Sequence, residues 1–161
     1  MICWDVYLMK MACLAALKSK DPSTKVGAVI ASPKHEIISV GYNGFPRGVT
    51  DSPERYQDRD IKLLMVQHAE ANAISASRLR PEGCKIYVPF SPCAQCAGTI
   101  IQSGIVEVVL HKGAQSEWDK YDWGNHSDIA RQMLEESGVN LRFMDEKLGE
   151  KCQIKGERVS V

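Results

Sequence analysis

Residues 84–110 read CKIYVPFSPCAQCAGTIIQSGIVEVVL, and their pattern indicates the architecture of the whole chain. The apolar residues 84–88 predict a strand, which ends at a turn containing two prolines. Residues 93–102 predict a helix, and residues 105–110 predict a second buried strand after a serine and a glycine. A strand, a helix and a strand in this order indicate a parallel pair joined by a right-handed crossover.

The rest of the chain extends this pattern in both directions. Helical spacing of apolar residues predicts three further helices, over residues 4–19, 61–79 and 127–137. Short apolar or alternating runs predict three further strands, over residues 26–31, 37–42 and 139–143, with a short turn joining the first two as a hairpin. Strands that alternate with helices are typical of an α/β protein.

Three segments show no regular pattern. Residues 50–60 are polar and predict a surface loop or a short irregular lid. Residues 112–126 are aromatic and polar, longer than a minimal connection, and predict a cap over a site. A charged tail from about residue 145 predicts a frayed end or an interface arm. The length suits one domain over residues 1–161.

Two short motifs carry groups that bind metal and move protons, His68-Ala69-Glu70 and Pro92-Cys93-Ala94-Gln95-Cys96. One imidazole and two thiols supply three zinc ligands and leave a fourth position open, which is typical of a catalytic rather than a structural zinc. Glu70 follows His68 by two residues, so its carboxylate lies near the metal without being a ligand and suits proton transfer. A redox dithiol is the metal-free alternative, but it does not explain His68 or Glu70.

The loop from Asn43 to Gly48 follows the second predicted strand and contains two glycines and a proline. An ordinary turn is one interpretation. The other is a loop whose backbone approaches a ligand, with Asn43 as a hydrogen-bonding group and Arg47 as a partner for phosphate.

Composition narrows the class of protein. Lys and Arg together number 20, as do Asp and Glu, so the formal net charge is zero and nucleic acid is not an expected partner. The sequence contains no apolar run of about 20 residues, so no membrane span is expected. The six cysteines occur without a secretory leader, which predicts reduced thiols and a cytoplasmic location.

The H-x-E…P-C-x-x-C arrangement is the signature of zinc nucleobase deaminases. The sequence resembles deoxycytidylate (dCMP) deaminases of the cytidine deaminase-like superfamily. The resemblance covers most of the chain in family order, through residues 21–28, 40–48, 68–74 and 87–97. The zinc motifs are common to the superfamily, whereas the loop Gly-Tyr-Asn-Gly-Phe-Pro at residues 41–46 narrows the resemblance to this branch.

The resemblance implies a three-layer α/β/α fold around a central mixed five-stranded sheet. It implies one catalytic Zn²⁺ per chain, held by His68, Cys93 and Cys96, with Glu70 as the proton shuttle. The implied reaction is the hydrolysis of dCMP to dUMP and ammonia, which supplies dUMP for dTTP synthesis.

Further residues receive roles from the same resemblance. Asn43 would bind the substrate sugar, the backbone near Ala69 and Ser91 would read the base, and Tyr121 would line the substrate site. Some members carry an arginine on the zinc-ligand helix for the substrate phosphate, and Arg78 lies near that position.

The resemblance also implies regulation. Many members are homohexamers that dCTP activates and dTTP inhibits, with Mg²⁺ accompanying a triphosphate effector. Gly44, Phe45 and Arg47 would then serve the effector site. The alternatives are a deaminase of both dCMP and dCTP, a tRNA adenosine deaminase, and a non-catalytic nucleotide-binding regulator, although a regulator would not need Glu70.

Overall fold

The computed structural model describes residues 1–121 and 125–161, and its centre is a sheet of five strands. These strands, in chain order, are β1 (Gly27–Ala31), β2 (Ile37–Tyr42), β3 (Lys85–Tyr87), β4 (Glu107–His111) and β5 (Asn140–Met144). Two further strands form a separate hairpin, β6 (Lys151–Ile154) and β7 (Glu157–Ser160).

The helices of the described residues connect these strands. They are α1 (Trp4–Ala16), α2 (Pro53–Gln57), α3 (Arg59–Met65), α4 (Ala69–Ala76), α5 (Ala94–Ser103), α6 (Lys112–Asp119) and α7 (Asn125–Glu136). Among the described residues, none of these helices has the length and apolar character needed to cross a membrane.

The strand order across the main sheet is β2-β1-β3-β4-β5. Strand β1 pairs antiparallel with both β2 and β3, whereas β3, β4 and β5 run parallel. The predicted hairpin and the parallel pair at residues 84–110 are therefore both confirmed. Because β3 and β4 are parallel, α5 has to cross over one face of the sheet between them.

Each face of the sheet has its own apolar core, because neighbouring strand residues point to opposite sides. Val29 packs with α1 residues such as Leu8 on one face, whereas Ala28 and Ile30 pack with residues of α4, α5 and α7 on the other. All five residues of β1 are buried, as expected for a strand covered on both sides. The predicted three-layer α/β/α arrangement with a mixed five-stranded sheet is confirmed.

The prediction of one long helix over residues 61–79 is wrong. The chain forms α3 and α4 instead, and Val66 between them has an extended backbone with ψ 131°. Gln67 pairs with Gly44 through two backbone hydrogen bonds, N to O at 3.1 and 2.8 Å. This tertiary pairing replaces the helical hydrogen bonds of Gln67, and the next helix begins immediately after His68.

The prediction of a loop or irregular lid over residues 50–60 is also wrong, since α2 and the start of α3 lie there. The Ser52 side chain accepts a hydrogen bond from Arg55 N, Pro53 opens α2, and Asp58 caps α3 in the same way as Ser52 caps α2. These are the residue types favoured at helix starts.

Residues 112–119 form α6 rather than an irregular cap. The His111 side chain accepts a hydrogen bond from Ala114 N at the start of this helix. Residues 122–124 of the predicted cap lie outside the described residues.

The tail is not frayed, because β6 and β7 form a hairpin packed on the α1 side of the sheet. Leu148, Cys152, Ile154 and Val161 are buried and belong to the same core as α1. The Sγ atoms of Cys152 and Cys13 lie 4.0 Å apart. Alternating apolar residues in a mainly charged tail thus provide enough buried surface to dock the hairpin.

Candidate metal centre and substrate cavity

Two helix starts meet at one cluster of donors. His68 is the N-cap of α4 and Cys93 is the N-cap of α5, while Cys96 lies in the first turn of α5. His68 Nδ1 lies 3.5 Å from each of the Sγ atoms of Cys93 and Cys96. The cluster was predicted from sequence, and the fold brings its three members together within 4.8 Å.

These distances fit zinc. Zn–N bonds of about 2.0 Å and Zn–S bonds of about 2.3 Å in a tetrahedron hold nitrogen and sulfur ligands about 3.5 Å apart. One nitrogen and two sulfurs at this separation leave a fourth tetrahedral position without a protein ligand. The donor set therefore fits a zinc site with one open position.

The side chains of the cluster shift one another's pKa values. The hydrogen bond between His68 and Cys93 raises the pKa of His68 to about 9. The pKa of Cys93 is lowered, first by its hydrogen bond with Cys96 and then by His68. Cys96 N also donates to Cys93 Sγ over 3.5 Å at the start of α5. A thiolate is thus stabilised before any metal arrives, and the thiolate is the form that binds zinc.

Glu70 lies in the first turn of α4 and is only 4% exposed. Burial raises the pKa of its carboxyl, and the neighbouring His68 only partly opposes that effect. A carboxyl with a raised pKa exchanges a proton near neutral pH more readily than an ordinary glutamate does. The position of Glu70 beside the donors suits an acid–base group.

A cavity of about 300 Å³ opens onto the cluster. His68, Glu70 and Cys93 line it, and so do Asn43, Ala69 and Ser91. A volume near this value is at the lower end of the range for ligand pockets. The cavity joins two of the three predicted metal ligands, His68 and Cys93, to three of the residues predicted to bind substrate.

Asn43 and Ser91 differ in how their polar atoms are used. The Asn43 amide accepts a hydrogen bond from Val26 N at 2.8 Å and donates to Thr24 O at 2.9 Å. The backbone N–H of Ser91 donates to Gln115 Oε1 at 2.6 Å. The buried Ser91 hydroxyl has no partner within the described part of the chain, so it is available to a ligand.

Of the residues predicted for effector binding, Gly44 contacts the segment that leads to His68. Gly44 forms an antiparallel β-bridge with Gln67, the residue immediately before His68. Phe45 stacks on Tyr56 with ring centroids 4.3 Å apart, and Tyr56 lines the cavity. Arg47 is exposed. Their effector role stays a prediction.

Tyr121 and Arg78 lie elsewhere. Tyr121 donates to Glu157 Oε2 of β7 over 3.3 Å and packs on the α1-side core. Arg78 is exposed and lines a surface depression formed with β2. A substrate role for Tyr121 stays a prediction, and the structure places neither residue at the cavity.

Sequence reasoning missed several residues that line the cavity. Phe90 and Trp118 do so and stack with centroids 4.3 Å apart. Arg59, Lys62 and Lys155 also line it. The aromatic composition of residues 112–126 was the available signal for Trp118, whereas no local pattern distinguished the three cations from surface charges.

The chain is similar in sequence to known zinc-binding deaminases. Residues 2–112 match the family model described as the cytidine and deoxycytidylate deaminase zinc-binding region. A deaminase of Aliivibrio fischeri is 42% identical over 88% of this chain and 93% of its own length. The deoxycytidylate deaminase of Homo sapiens is 39% identical over 86% of this chain and 78% of its own length.

A solved structure is also similar. It is the dCMP deaminase of the cyanophage S-TIM5 in complex with dCMP and dUMP. The TM-score is 0.62 at 26% identity, covering 84% of this chain and 93% of the cyanophage chain.

Proposed function

Because the chain belongs to the cytidine and deoxycytidylate deaminase family, we propose that it hydrolyses dCMP to dUMP and ammonia. The observation that carries the proposal is the buried Glu70 beside the His68, Cys93 and Cys96 donors in one cavity. The dCMP deaminases among its relatives support the substrate. The residues from 1 to 161 act in this proposal as a single deaminase domain in the cytoplasm.

His68, Cys93 and Cys96 would hold one zinc ion. When bound, zinc supplies a Lewis acid that activates water at neutral pH. Two helix starts would hold these three ligands in place, with His68 and Cys93 at the wall of the cavity.

Glu70 carries the protons in this proposal. Its carboxylate accepts one proton from the water that attacks C4 and passes it to N3 of the cytosine ring. It then takes the remaining hydroxyl proton and passes it to the exocyclic amino group, which leaves as ammonia as the C4–N bond breaks and the C4 carbonyl forms. Burial serves this role, since it raises the pKa of the carboxyl and makes its protonated form easier to reach. The hydroxyl of Ser91 and the backbone at Ala69, which line the cavity, would hydrogen-bond the base.

The direct test is ammonia release by the zinc-loaded chain from dCMP, dCTP, cytidine and a tRNA anticodon stem. We expect turnover of dCMP and little from cytidine or the tRNA stem. Turnover of dCTP alongside dCMP would identify the bifunctional alternative. No release from any deoxycytidylate would contradict the proposal, even if the chain bound zinc.

Regulation is a second part of the proposal. The chain would form hexamers that dCTP activates and dTTP inhibits, with Mg²⁺ bound to the triphosphate. The loop of Gly44, Phe45 and Arg47 would bind the effector. Gly44 is hydrogen-bonded to Gln67, the residue before His68. Movement of the loop would thereby reach a zinc ligand.

Saturation curves for dCMP with and without dCTP test this regulation, together with the oligomer mass by light scattering. We expect dCTP to raise activity at low dCMP and Arg47→Gln to reduce that effect. Superimposable curves would contradict effector control while leaving the proposed catalysis in place.

A further inference from the structure

The turn between β3 and α5 leads to the metal-donor residue Cys93, and a side chain of α6 anchors it. Backbone hydrogen bonding to β4 reaches Pro89, whose carbonyl accepts from His111 N at 3.1 Å. Further along the turn the partner is a side chain, because the backbone N–H of Ser91 donates to Gln115 Oε1 at 2.6 Å. Both residues of this second contact are buried. Gln115 thus fixes the backbone two residues before Cys93.

The amide of Gln115 has one orientation that satisfies both of its neighbours. A backbone N–H can only donate, so Oε1 has to face Ser91. The amide Nε2 donates to Asp119 Oδ1 at 2.6 Å, one turn further along α6. A flipped amide would set Nε2 against the Ser91 N–H and Oε1 against a carboxylate oxygen, which are two unfavourable contacts. Asp119 therefore keeps the acceptor of Gln115 directed at Ser91.

The helix that carries Gln115 is itself anchored at its start. The His111 side chain accepts a hydrogen bond from Ala114 N at 3.2 Å through Nδ1. The ring hydrogen is then on Nε2, which donates to Glu146 O at 3.0 Å. The first turn of α6 is thus joined to the segment that follows β5, and Gln115 is presented from a fixed support.

Helix α6 contacts two successive residues of the turn. Trp118 follows Gln115 by three positions and so shares its face of the helix, and its ring stacks on Phe90 with centroids 4.3 Å apart. Phe90 and Ser91 line the cavity, and Gln115 is not among the described residues that do so. The buried Ser91 hydroxyl has no partner within the described chain. The position of the Ser91 backbone therefore decides where this hydroxyl meets a ligand.

We propose that Gln115, oriented by Asp119, is a positioning residue that holds the Ser91 backbone and thereby directs the Ser91 hydroxyl to the base of the substrate. The inference rests on the proposed deamination of dCMP in this cavity. Cys93 has an anchor of its own, since it caps α5 and its Sγ accepts from Cys96 N at 3.5 Å. Loss of Gln115 should therefore weaken substrate binding and leave the metal site loaded.

Steady-state kinetics of the zinc-loaded full chain with dCMP test the proposal. Gln115→Met keeps the length of the side chain but leaves the buried Ser91 N–H without an acceptor. We expect the KM for dCMP to rise about tenfold while kcat stays within about threefold, because the lost contact serves the bound substrate and the transition state alike.

A rescue experiment separates positioning from a general loss of packing. Gln115→Glu sets two carboxylates side by side and should raise the KM as Gln115→Met does, whereas Asp119→Asn alone keeps an acceptor for Gln115 Nε2 and should change it less than about twofold. The double variant Gln115→Glu with Asp119→Asn exchanges donor and acceptor between the two positions. It should return the KM to within about threefold of wild type.

Hydrogen exchange at the Ser91 amide gives a readout that needs no turnover. Mass spectrometry of overlapping peptides should show exchange at least about tenfold faster in Gln115→Met and near-normal exchange in the double variant. The matched controls are Gln132→Met and Gln132→Glu, because Gln132 makes the same type of contact with Glu136 on the exposed face of α7, Nε2 to Oε1 at 2.7 Å. Both controls should behave like the wild type.

Zinc content and melting temperature verify that each variant is folded and loaded. If Gln115→Met does not fold, Gln115→Glu with and without Asp119→Asn supplies the same comparison. The proposal is overturned if removing the acceptor changes neither the KM nor the Ser91 exchange, if zinc is lost along with it, or if Asp119→Asn does not rescue Gln115→Glu. Faster Ser91 exchange in Gln115→Met, in a chain whose wild type releases no ammonia from dCMP, would support the hold on Ser91 and refute the proposed reaction.

Discussion

At the scale of single residues, the chemistry of the site depends on where each group lies in its helix. His68 and Cys93 are N-caps, so their side chains project from helix starts. Glu70 lies two residues further along α4, where it is buried beside the donors without joining them. The roles of these residues could be predicted from their spacing in the sequence, because each motif is local.

Replacing Glu70 with Gln removes proton transfer and keeps the shape of the side chain. We expect turnover of dCMP to fall by about 10³-fold or more, because an amide cannot shuttle the proton. Zinc content by atomic absorption should stay at one ion per chain, since Glu70 is not among the clustered donors.

The matched control for this variant is Glu135→Gln, an exposed position on α7. Its activity should equal that of the wild type. Substantial turnover by Glu70→Gln would mean that another group carries the proton. Loss of zinc by the same variant would mean that Glu70 is a ligand.

At the scale of secondary structure, α4 lies directly on strand β2. A Cβ atom at Gly41 would collide with Ala69 O and Ala73 N, and it would lie 2.8 Å from Ala73 Cα. The absence of a side chain at Gly41 therefore lets the helix that begins after His68 approach the sheet closely. The position of the metal centre relative to the sheet depends on this contact.

Gly41→Ala should push α4 away from the sheet. We expect the free energy of unfolding to fall by about 2 kcal/mol, as is typical of overpacked cores. Zinc affinity and dCMP turnover should fall as well, because Ala69 lies between His68 and Glu70. Urea unfolding, zinc titration and ammonia release measure the three effects.

Gly98→Ala is the contrasting variant. Gly98 lies inside α5, and an added Cβ would meet Met133 Cε at 3.7 Å, an ordinary contact distance. Replacing a glycine inside a helix with alanine raises the free energy of unfolding by about 0.5–1 kcal/mol. Equal effects of the two substitutions would show that close packing at Gly41 is not what positions α4.

At the scale of the whole molecule, one ionic network joins the first helix to three strands. Arg142 of β5 contacts Asp5 of α1 at 2.8 Å and Glu107 of β4 at 2.6 Å. Lys85 of β3 pairs with Glu107 at 2.8 Å, and Tyr87 Oη donates to Asp5 at 2.8 Å. Residues separated by more than a hundred positions thus stabilise one another across the α1 face of the sheet.

The network makes a pH-dependent contribution to stability. Burial by itself raises the pKa of Asp5 and Glu107, but hydrogen bonds from Arg142 and its charge outweigh burial, so the pKa of each carboxyl lies below its ordinary value. A lowered folded-state pKa means that the stabilisation is present above the ordinary carboxyl pKa and is lost as the pH falls through the folded value.

Arg142→Gln should therefore cost about 2 kcal/mol of unfolding free energy at pH 7. The difference from wild type should shrink below about pH 4, where the wild-type carboxyls also become protonated. Urea unfolding of both proteins at each pH measures this difference. Because both proteins contain the same metal ligands, the effect of protonating those ligands cancels in the comparison.

The exposed pair of Arg80 and Glu82 provides the control Arg80→Gln, which should lower the free energy of unfolding by less than about 0.5 kcal/mol. A constant difference across pH would contradict this origin.

The donor types, the acid–base glutamate and the alternation of strands and helices could all be predicted from the sequence. These features are encoded locally, in the spacing within His68-Ala69-Glu70 and within Cys93 to Cys96, and in the periodicity of residues 84–110. Boundaries of the predicted strands shifted by one or two residues, because helix and strand ends depend on local competition for hydrogen bonds.

Only the tertiary structure decided where the long predicted helix breaks, where the C-terminal hairpin docks and which cations reach the cavity. Gln67 leaves the helical conformation because it pairs with Gly44, which lies 23 residues earlier in the numbering. Lys155 reaches the cavity because buried residues of its hairpin pack against α1 and its turn is hydrogen-bonded to residues 23 and 24. Contacts between distant segments depend on which surfaces are buried together, and no local pattern in the sequence records that.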